Sequence, residues 1–200
     1  SGLRDFTAPQ TVLDAIGVHN PGSGKTISGK SNVTVHLVPE SEPEPEPEPY
    51  TFQGTGILLQ SEVTNNIGST THVIIEGYSS ISYNAFKDNL SLTQVTIKNT
   101  VKYIEQYAFS GCTNLTTVNF ESGSILSMIC DFAFNESGIT SITLPNSLLI
   151  IGPSAFKLCT GLNSITLPAS MTSLGVSSFQ ECSSLTSVSF ANGSQLVTIG

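Results

Sequence analysis

From Tyr78 to the end of the chain, apolar residues recur in fixed columns. The pair Ala-Phe stands at Ala85-Phe86, Ala108-Phe109, Ala133-Phe134 and Ala155-Phe156, and once more as Ser178-Phe179. Successive phenylalanines lie 23, 25, 22 and 23 residues apart. Five places before each Phe come Ile81, Ile104, Ile129, Ile151 and Leu174; eight places before come Tyr78, Val101, Leu126, Leu148 and Met171. Six places after come Leu92, Leu115, Leu162 and Leu185, then Val95/Ile97, Val118/Phe120, Ile165/Leu167 and Val188/Phe190 at nine and eleven. One unit is a residue short in its loop, so Ile139, Ile142 and Leu144 fill these columns one place early. A period of this length marks a solenoid, whose units are too small to bury an apolar face alone and bury it against their neighbours.

The run Leu-x-x-Val/Ile-x-Leu/Ile/Phe puts alternate side chains on one face, which predicts a short strand in every unit. Stacking the units about 4.8 Å apart pairs these strands into a parallel sheet. The small-then-aromatic Ala-Phe step predicts a tight helical turn on the opposite wall, with Gly152 and Gly175 supplying backbone freedom just before it. Phe86, Phe109, Phe134, Phe156 and Phe179 share one register and are expected to stack in one buried column. Cys112, Cys159 and Cys182 all fall three places after Phe. Parallel neighbours in one column rarely meet the Cβ spacing and torsion of a disulfide, so these are read as free buried thiols packing as small hydrophobes.

Upstream the pattern changes. Residues 50–75 read as an N-terminal cap, with a short helix over Ser61–Gly68, capped by Ser61 and ended by Gly68, and a first strand at His72–Ile75. Residues 40–49 are a Glu-Pro run in which fixed φ and repelling carboxylates favour extended polyproline II, a spacer of roughly 30 Å. Residues 1–39 form a separate segment with strand-like runs at 11–18 and 32–38, read as the tail of a preceding domain or as anchoring strands. Residues 76–200 hold about five units. Ile199 and Gly200 fall in the Ile and Gly slots of a further unit, so another Ala-Phe pair is expected about four residues on.

The unit Ile151-Gly152 … Ala155-Phe156 … Cys159 … Leu162 … Ile165 … Leu167-Pro168 resembles the BspA-like leucine-rich repeats, whose signature Ile-Gly-x-x-Ala-Phe-x-x-Cys-x-x-Leu-x-x-Ile-x-Leu-Pro has a period of about 23 residues. The resemblance covers some two-thirds of the chain. It implies a right-handed leucine-rich-repeat superhelix, with a parallel sheet of short strands and short helical turns. It also implies surface-displayed proteins of bacteria and anaerobic protists that contact host molecules or other cells, and it carries over no catalytic or binding residue. Asn89 and Ser137 replace the signature cysteine, and Cys130 takes a glycine slot. Two units carry a longer insert without proline, Phe120–Ser124 and Phe190–Ser194, expected to bulge on one edge.

Composition narrows the function further. Only 11% of residues are charged, and the net charge of −8 is unevenly placed. Five acids lie between Glu40 and Glu48, whereas 50–200 holds eight acids against four lysines. No basic stripe offers a nucleic-acid footprint, and no long apolar run offers a membrane span. Gly22-Ser23-Gly24-Lys25-Thr26 has the end of a phosphate-binding loop, but His19 stands where the motif needs its first Gly, so a flexible turn is expected. His19, His36 and His72 are scattered, and no Ser, Cys or Thr is placed with a His and an acid. The chain is therefore read as a non-enzyme without cofactor or metal. Of the sequons at Asn32, Asn89, Asn114, Asn135 and Asn192, several are expected by composition in so Asn- and Ser-rich a chain; in a secreted eukaryotic protein some could carry sugar.

What remains are the outward strand positions: Gln94/Thr96, Thr117/Asn119, Ser141/Thr143, Ser164/Thr166 and Ser187/Ser189. They form two ladders of hydroxyls and amides without the Trp, Tyr or Arg anchors that hot spots favour. Six places before Phe, Tyr103, Met128 and Ile150 make an apolar row, read as a partner strip or as a second packed edge. Two functions fit. One is a surface-displayed module, extracellular or at the cell surface, that recognises a protein or glycan at the end of a stiff acidic linker. The other is an assembly component on the exterior of a filament or virus particle. In that case self-association would run through the N-terminal segment or the open last repeat.

Overall fold

The computed structural model describes residues 47–200. The 1–39 segment, the Gly22–Thr26 turn, Asn32 and the Glu-Pro run as far as residue 46 lie outside the described residues.

The described chain opens with β1 (Tyr50–Leu58), α1 (Gln60–Asn66) and β2 (His72–Ile81). The helix starts two residues earlier than Ser61 would place it, with Leu59 at the N-cap. The Leu59 N–H donates to Glu62 Oε2 at 2.8 Å, so an acid reaching back, and not the Ser61 hydroxyl, caps it. Gly68 follows the helix at φ +51, where a side chain would be strained. Strand β2 runs well past the expected His72–Ile75. Its first part pairs with β3 (Gln94–Ile97) and its last two residues with β4 (Tyr103–Ile104), so one strand feeds two walls. β1 lies parallel beside it, from Tyr50 opposite Val73 to Leu58 opposite Ile81.

In every later unit that long strand is broken in two. The first wall continues through β5 (Thr117–Phe120), β7 (Ser141–Ile142), β9 (Ser164–Leu167) and β11 (Ser187–Phe190). The second continues through β6 (Met128–Ile129), β8 (Ile150–Ile151), β10 (Ser173–Leu174) and β12 (Thr198–Ile199). All pairings are parallel, and homologous residues of successive units face each other, as Val95 does Val118 and Ile104 does Ile129. The architecture is a leucine-rich-repeat solenoid.

A third wall carries the Ala-Phe step. Each unit closes tight turns on itself, such as Ala85 N–H to Ser82 O and Asn89 N–H to Phe86 O, both 3.1 Å. It is nevertheless bonded to the next unit as a ladder. Asn84, Phe86 and Asp88 donate to Gln106, Ala108 and Ser110, at 3.2, 2.7 and 2.8 Å. Tyr107, Phe109 and Gly111 repeat the pattern onto the third unit, Phe132, Phe134 and Glu136 onto the fourth, and Ser154, Phe156 and Leu158 onto the fifth. This geometry is why the residues two places either side of Phe have φ near +57, as at Asn84, Asp88, Tyr107 and Phe132. Left-handed residues alternating with right-handed ones aim every second N–H along the solenoid axis. Each non-glycine residue so placed costs about 1–2 kcal/mol, against roughly 1 kcal/mol per hydrogen bond gained. The turns alone about break even, and the apolar interior decides.

That interior is a stack. Phe86, Phe109, Phe134 and Phe156 are buried, with neighbouring centroids 4.9, 5.2 and 5.3 Å apart and planes within 10°. Phe52 of β1 covers Phe86 edge-on at 5.9 Å. Phe179, next to Phe156 at 5.6 Å, is the last ring of the described column and is half-buried. Gly152 and Gly175 serve close approach and not backbone freedom: neither has positive φ. A Cβ on Gly152 would come within 2.7 Å of the Asp131 nitrogen, and one on Gly175 would strike the Gly152–Pro153 peptide.

The first wall is interrupted. Pairing between β5 and β7 stops at Val118–Ile142, and β9 with β11 forms a separate pair. The cause is legible one residue further on. Ile97 O accepts from Glu121 N–H and Leu167 O from Ala191 N–H, each at 3.0 Å. In the two intervening junctions the donor position is Pro145 or Pro168, which has no N–H to give.

Candidate interaction surface

The outward residues of the first wall form two aligned rows, because parallel in-register pairing sets Gln94 beside Thr117 beside Ser141, and Thr96 beside Asn119. Gln94, Thr96 and Thr117 are half-buried; Asn119, Ser141, Thr143, Ser164, Thr166, Ser187 and Ser189 are exposed. Thr96 shares a 3.2 Å hydrogen bond with the His72 ring. On the second wall Tyr103, Met128 and Ile150 are direct neighbours in register, partly exposed, and Lys102 Nζ lies 5.2 Å from the Tyr103 ring centre.

Two features were not anticipated from the sequence. On the turn wall Tyr83, Tyr107 and Phe132 form an outer aromatic row, with centroids 5.8 and 4.9 Å apart. Tyr107 and Phe132 sit at φ 58 and 56, a costly conformation for aromatic residues. The offset of two from the buried Phe, shared by Tyr107 and Phe132, was the signal; Tyr83 lies three before Phe86. The second feature is a groove of about 630 Å³ where β5 and the chain after β7 diverge, bounded by the Phe120–Ser124 insert. A smaller hollow of about 400 Å³ shares Ser141, Thr143, Leu144 and Asn146 with it and reaches Thr166, Pro168 and Ala191. The presence of proline in two of these loops and its absence from the longer inserts was visible, but its effect on the sheet was not drawn from it.

The thiols are structural in their geometry. Cys112, Cys159 and Cys182 donate to the carbonyls of Phe86, Phe134 and Phe156, the Phe of the unit before, at 3.0, 3.1 and 3.0 Å. In the same column Asn89 Oδ1 accepts from Ser91 and Leu92 N–H instead, and Ser137 hydrogen-bonds Cys159 at 3.3 Å. All four cysteines are free. Burial pushes the Cys112 and Cys159 thiols up to about 12; at half-buried Cys130, burial followed by the neighbouring Glu105 carboxylate does the same. Among the described residues, no group of three or more His, Cys, Asp or Glu could hold a metal ion, and no helix is long and apolar enough to cross a membrane. Of the sequons, Asn114 and Asn192 are exposed, whereas Asn89 is engaged in its turn.

A family model described as BspA type leucine rich repeat region matches residues 79–200 in 6 copies. No curated protein matches the chain. Among solved structures, a leucine rich repeat protein of T. pallidum is 28% identical at a TM-score of 0.58, over 67% of this chain and 71% of that one. A leucine rich cell surface protein of Faecalibacterium prausnitzii is 28% identical at 0.56, over 64% of this chain and 37% of that one. A leucine-rich repeat protein of Eubacterium ventriosum shares the fold at 19% identity and a TM-score of 0.63, over 72% of this chain and 39% of that one. The chain thus spans well under half the length of the latter two.

Proposed function

The chain belongs to the BspA-type leucine-rich repeat family, and from that premise we propose that it is a surface-displayed recognition module, extracellular in its working location. It binds a protein or glycan and catalyses nothing. The observation that carries this reading is the first wall itself: an outward face of neutral hydroxyls and amides, held in register by a parallel sheet and opened by a groove. Such a face has the directional donors and acceptors of a binding surface and no nucleophile–base pair. The F. prausnitzii relative, described as a cell surface protein, supports the location. In this reading the Glu-Pro run at 40–49 is the spacer that projects the repeats, and 1–39 belongs to the anchoring side.

Surface labelling of intact cells that make the protein tests the location. Retention of the full chain on immobilised extracellular proteins and glycans tests the activity. Labelling at the surface together with saturable binding is the expected result. A protein reached by label only after cell lysis, and retained on neither class of ligand, would overturn the proposal.

A further inference from the structure

The proline-gapped groove has a ligand chemistry of its own, and we infer that it is a subsite for a neutral oligosaccharide; this rests on the recognition-module reading above. Four observations converge. The first is the pair of interrupted ladder positions. In the register that makes Ile97 O and Leu167 O acceptors for the next unit, Phe120 and Leu144 stand opposite Pro145 and Pro168, which cannot donate. No loop or turn N–H takes their place. These are acceptors that an incoming hydroxyl can satisfy, and a polar group left without a partner is costly to keep dry.

The second is the lining. Asn119, Ser122, Ser124, Ser141, Thr143 and Asn146 present hydroxyls and carboxamides, groups that both donate and accept. The third is charge. Glu121 alone among the residues lining either hollow is ionisable, and its carboxylate is already held by Lys98 Nζ at 3.0 Å and by the Asn99 N–H at 3.2 Å. A ligand carrying formal charge finds no unpaired counter-charge here. The fourth is Phe120, half-buried against the core yet lining the groove, which offers an apolar contact for the C–H face of a sugar ring. The main volume lies within the range of about 300–1,000 Å³ of small-ligand sites, and the shared lining with the next hollow leaves room for more than one ring.

An extended peptide fits less well. The two orphan carbonyls belong to homologous positions of adjacent units, so they recur across the strands at about 4.8 Å. The N–H groups on one side of a peptide strand recur every second residue, nearer 7 Å. Sugar hydroxyls sit on neighbouring ring carbons and are not tied to that period.

The test is calorimetric titration of the full chain with a panel of neutral oligosaccharides, the same glycans bearing sulfate or sialic acid, and extended peptides. Binding of a neutral oligosaccharide is expected, unchanged within about twofold when salt is raised several-fold, because no ion pair is formed. The double variant Asn119→Ala/Thr143→Val should lose at least about tenfold in affinity, the order of one hydrogen bond or more. Glu136→Gln/Glu181→Gln, exposed on the turn wall and outside both hollows, should lose nothing. Unchanged thermal midpoints show that the variants fold. Preference for charged glycans, or a loss equal in the two double variants, overturns the inference. Peptide binding that the Asn119→Ala/Thr143→Val change abolishes also overturns it, but leaves the recognition-module reading intact. Retention of no ligand class, with the protein absent from the cell surface, overturns both.

Discussion

The turn wall and the first sheet wall solve the same problem in opposite ways. The sheet wall is built from strand conformations that any L-residue accepts, yet its ladder stops between β7 and β9. The turn wall holds Tyr107, Phe132, Ser154 and Leu158 in the left-handed region, yet its three hydrogen bonds per junction run unbroken from the first unit to the fifth. Local ease and continuity are therefore separate properties. What fixes the turn wall is the Phe column behind it, which cannot stack at 4.9–5.6 Å unless the turns stay in register. The sheet wall has no such obligation at its far end. There the inward residue is Leu144 or Leu167, followed by a proline.

The comparison is broken most directly through that column. Phe156→Ala removes a fully buried ring between two stacked neighbours and should cost about 3–5 kcal/mol, read from the denaturation midpoint. A cost under about 1 kcal/mol would mean that the turns hold their register unaided. Introducing proline into each wall sharpens the contrast. Ser154→Pro removes the N–H given to Val176 O and cannot adopt φ +55, so about 3 kcal/mol or more is expected. Ala191→Pro removes only the bond to Leu167 O, as Pro145 and Pro168 already do elsewhere, for about 1 kcal/mol. Equal costs would sink the asymmetry between the walls. A smaller gain should come from Glu136→Gly, at an exposed residue with φ +57. Relief of the left-handed strain outweighs the entropy of the added glycine, leaving at most about 1 kcal/mol of stabilisation. The least change is predicted for the thiols. With Cys112 and Cys159 pushed up to about 12, a maleimide reagent near neutral pH should label neither until the chain unfolds.

The sequence disclosed the interior far better than the walls. Columns of Phe, Ile, Leu and Cys are set by side-chain burial, and burial imposes identity, so Phe109 and Cys112 were readable from spacing alone. Backbone hydrogen bonding imposes little identity. Nothing in Tyr107 or Glu136 advertises positive φ, and Gly152, the residue that invites such a reading, is needed for a close contact instead. The two-residue strands of the second wall were invisible as strands for the same reason: Met128-Ile129 alternates nothing over so short a span. They were present only as a column of isoleucines. The groove lay between these cases. Its cause, proline at a ladder position, was written at Pro145 and Pro168, but it signified a gap only once Glu121 and Ala191 were seen to donate at that place.

A wall bonded at every junction and a wall with missing rungs, fixed back to back, behave under load like a spine with its ligament on one side. Tension along the axis is borne by the turn ladder together with the second wall, whose pairing is also unbroken. Flexion is cheapest toward the turn side, about the gap near Phe120 and Leu144, where fewer ladder bonds resist parting of the strands. A force applied through the repeats would thus widen the groove before it unravelled a unit.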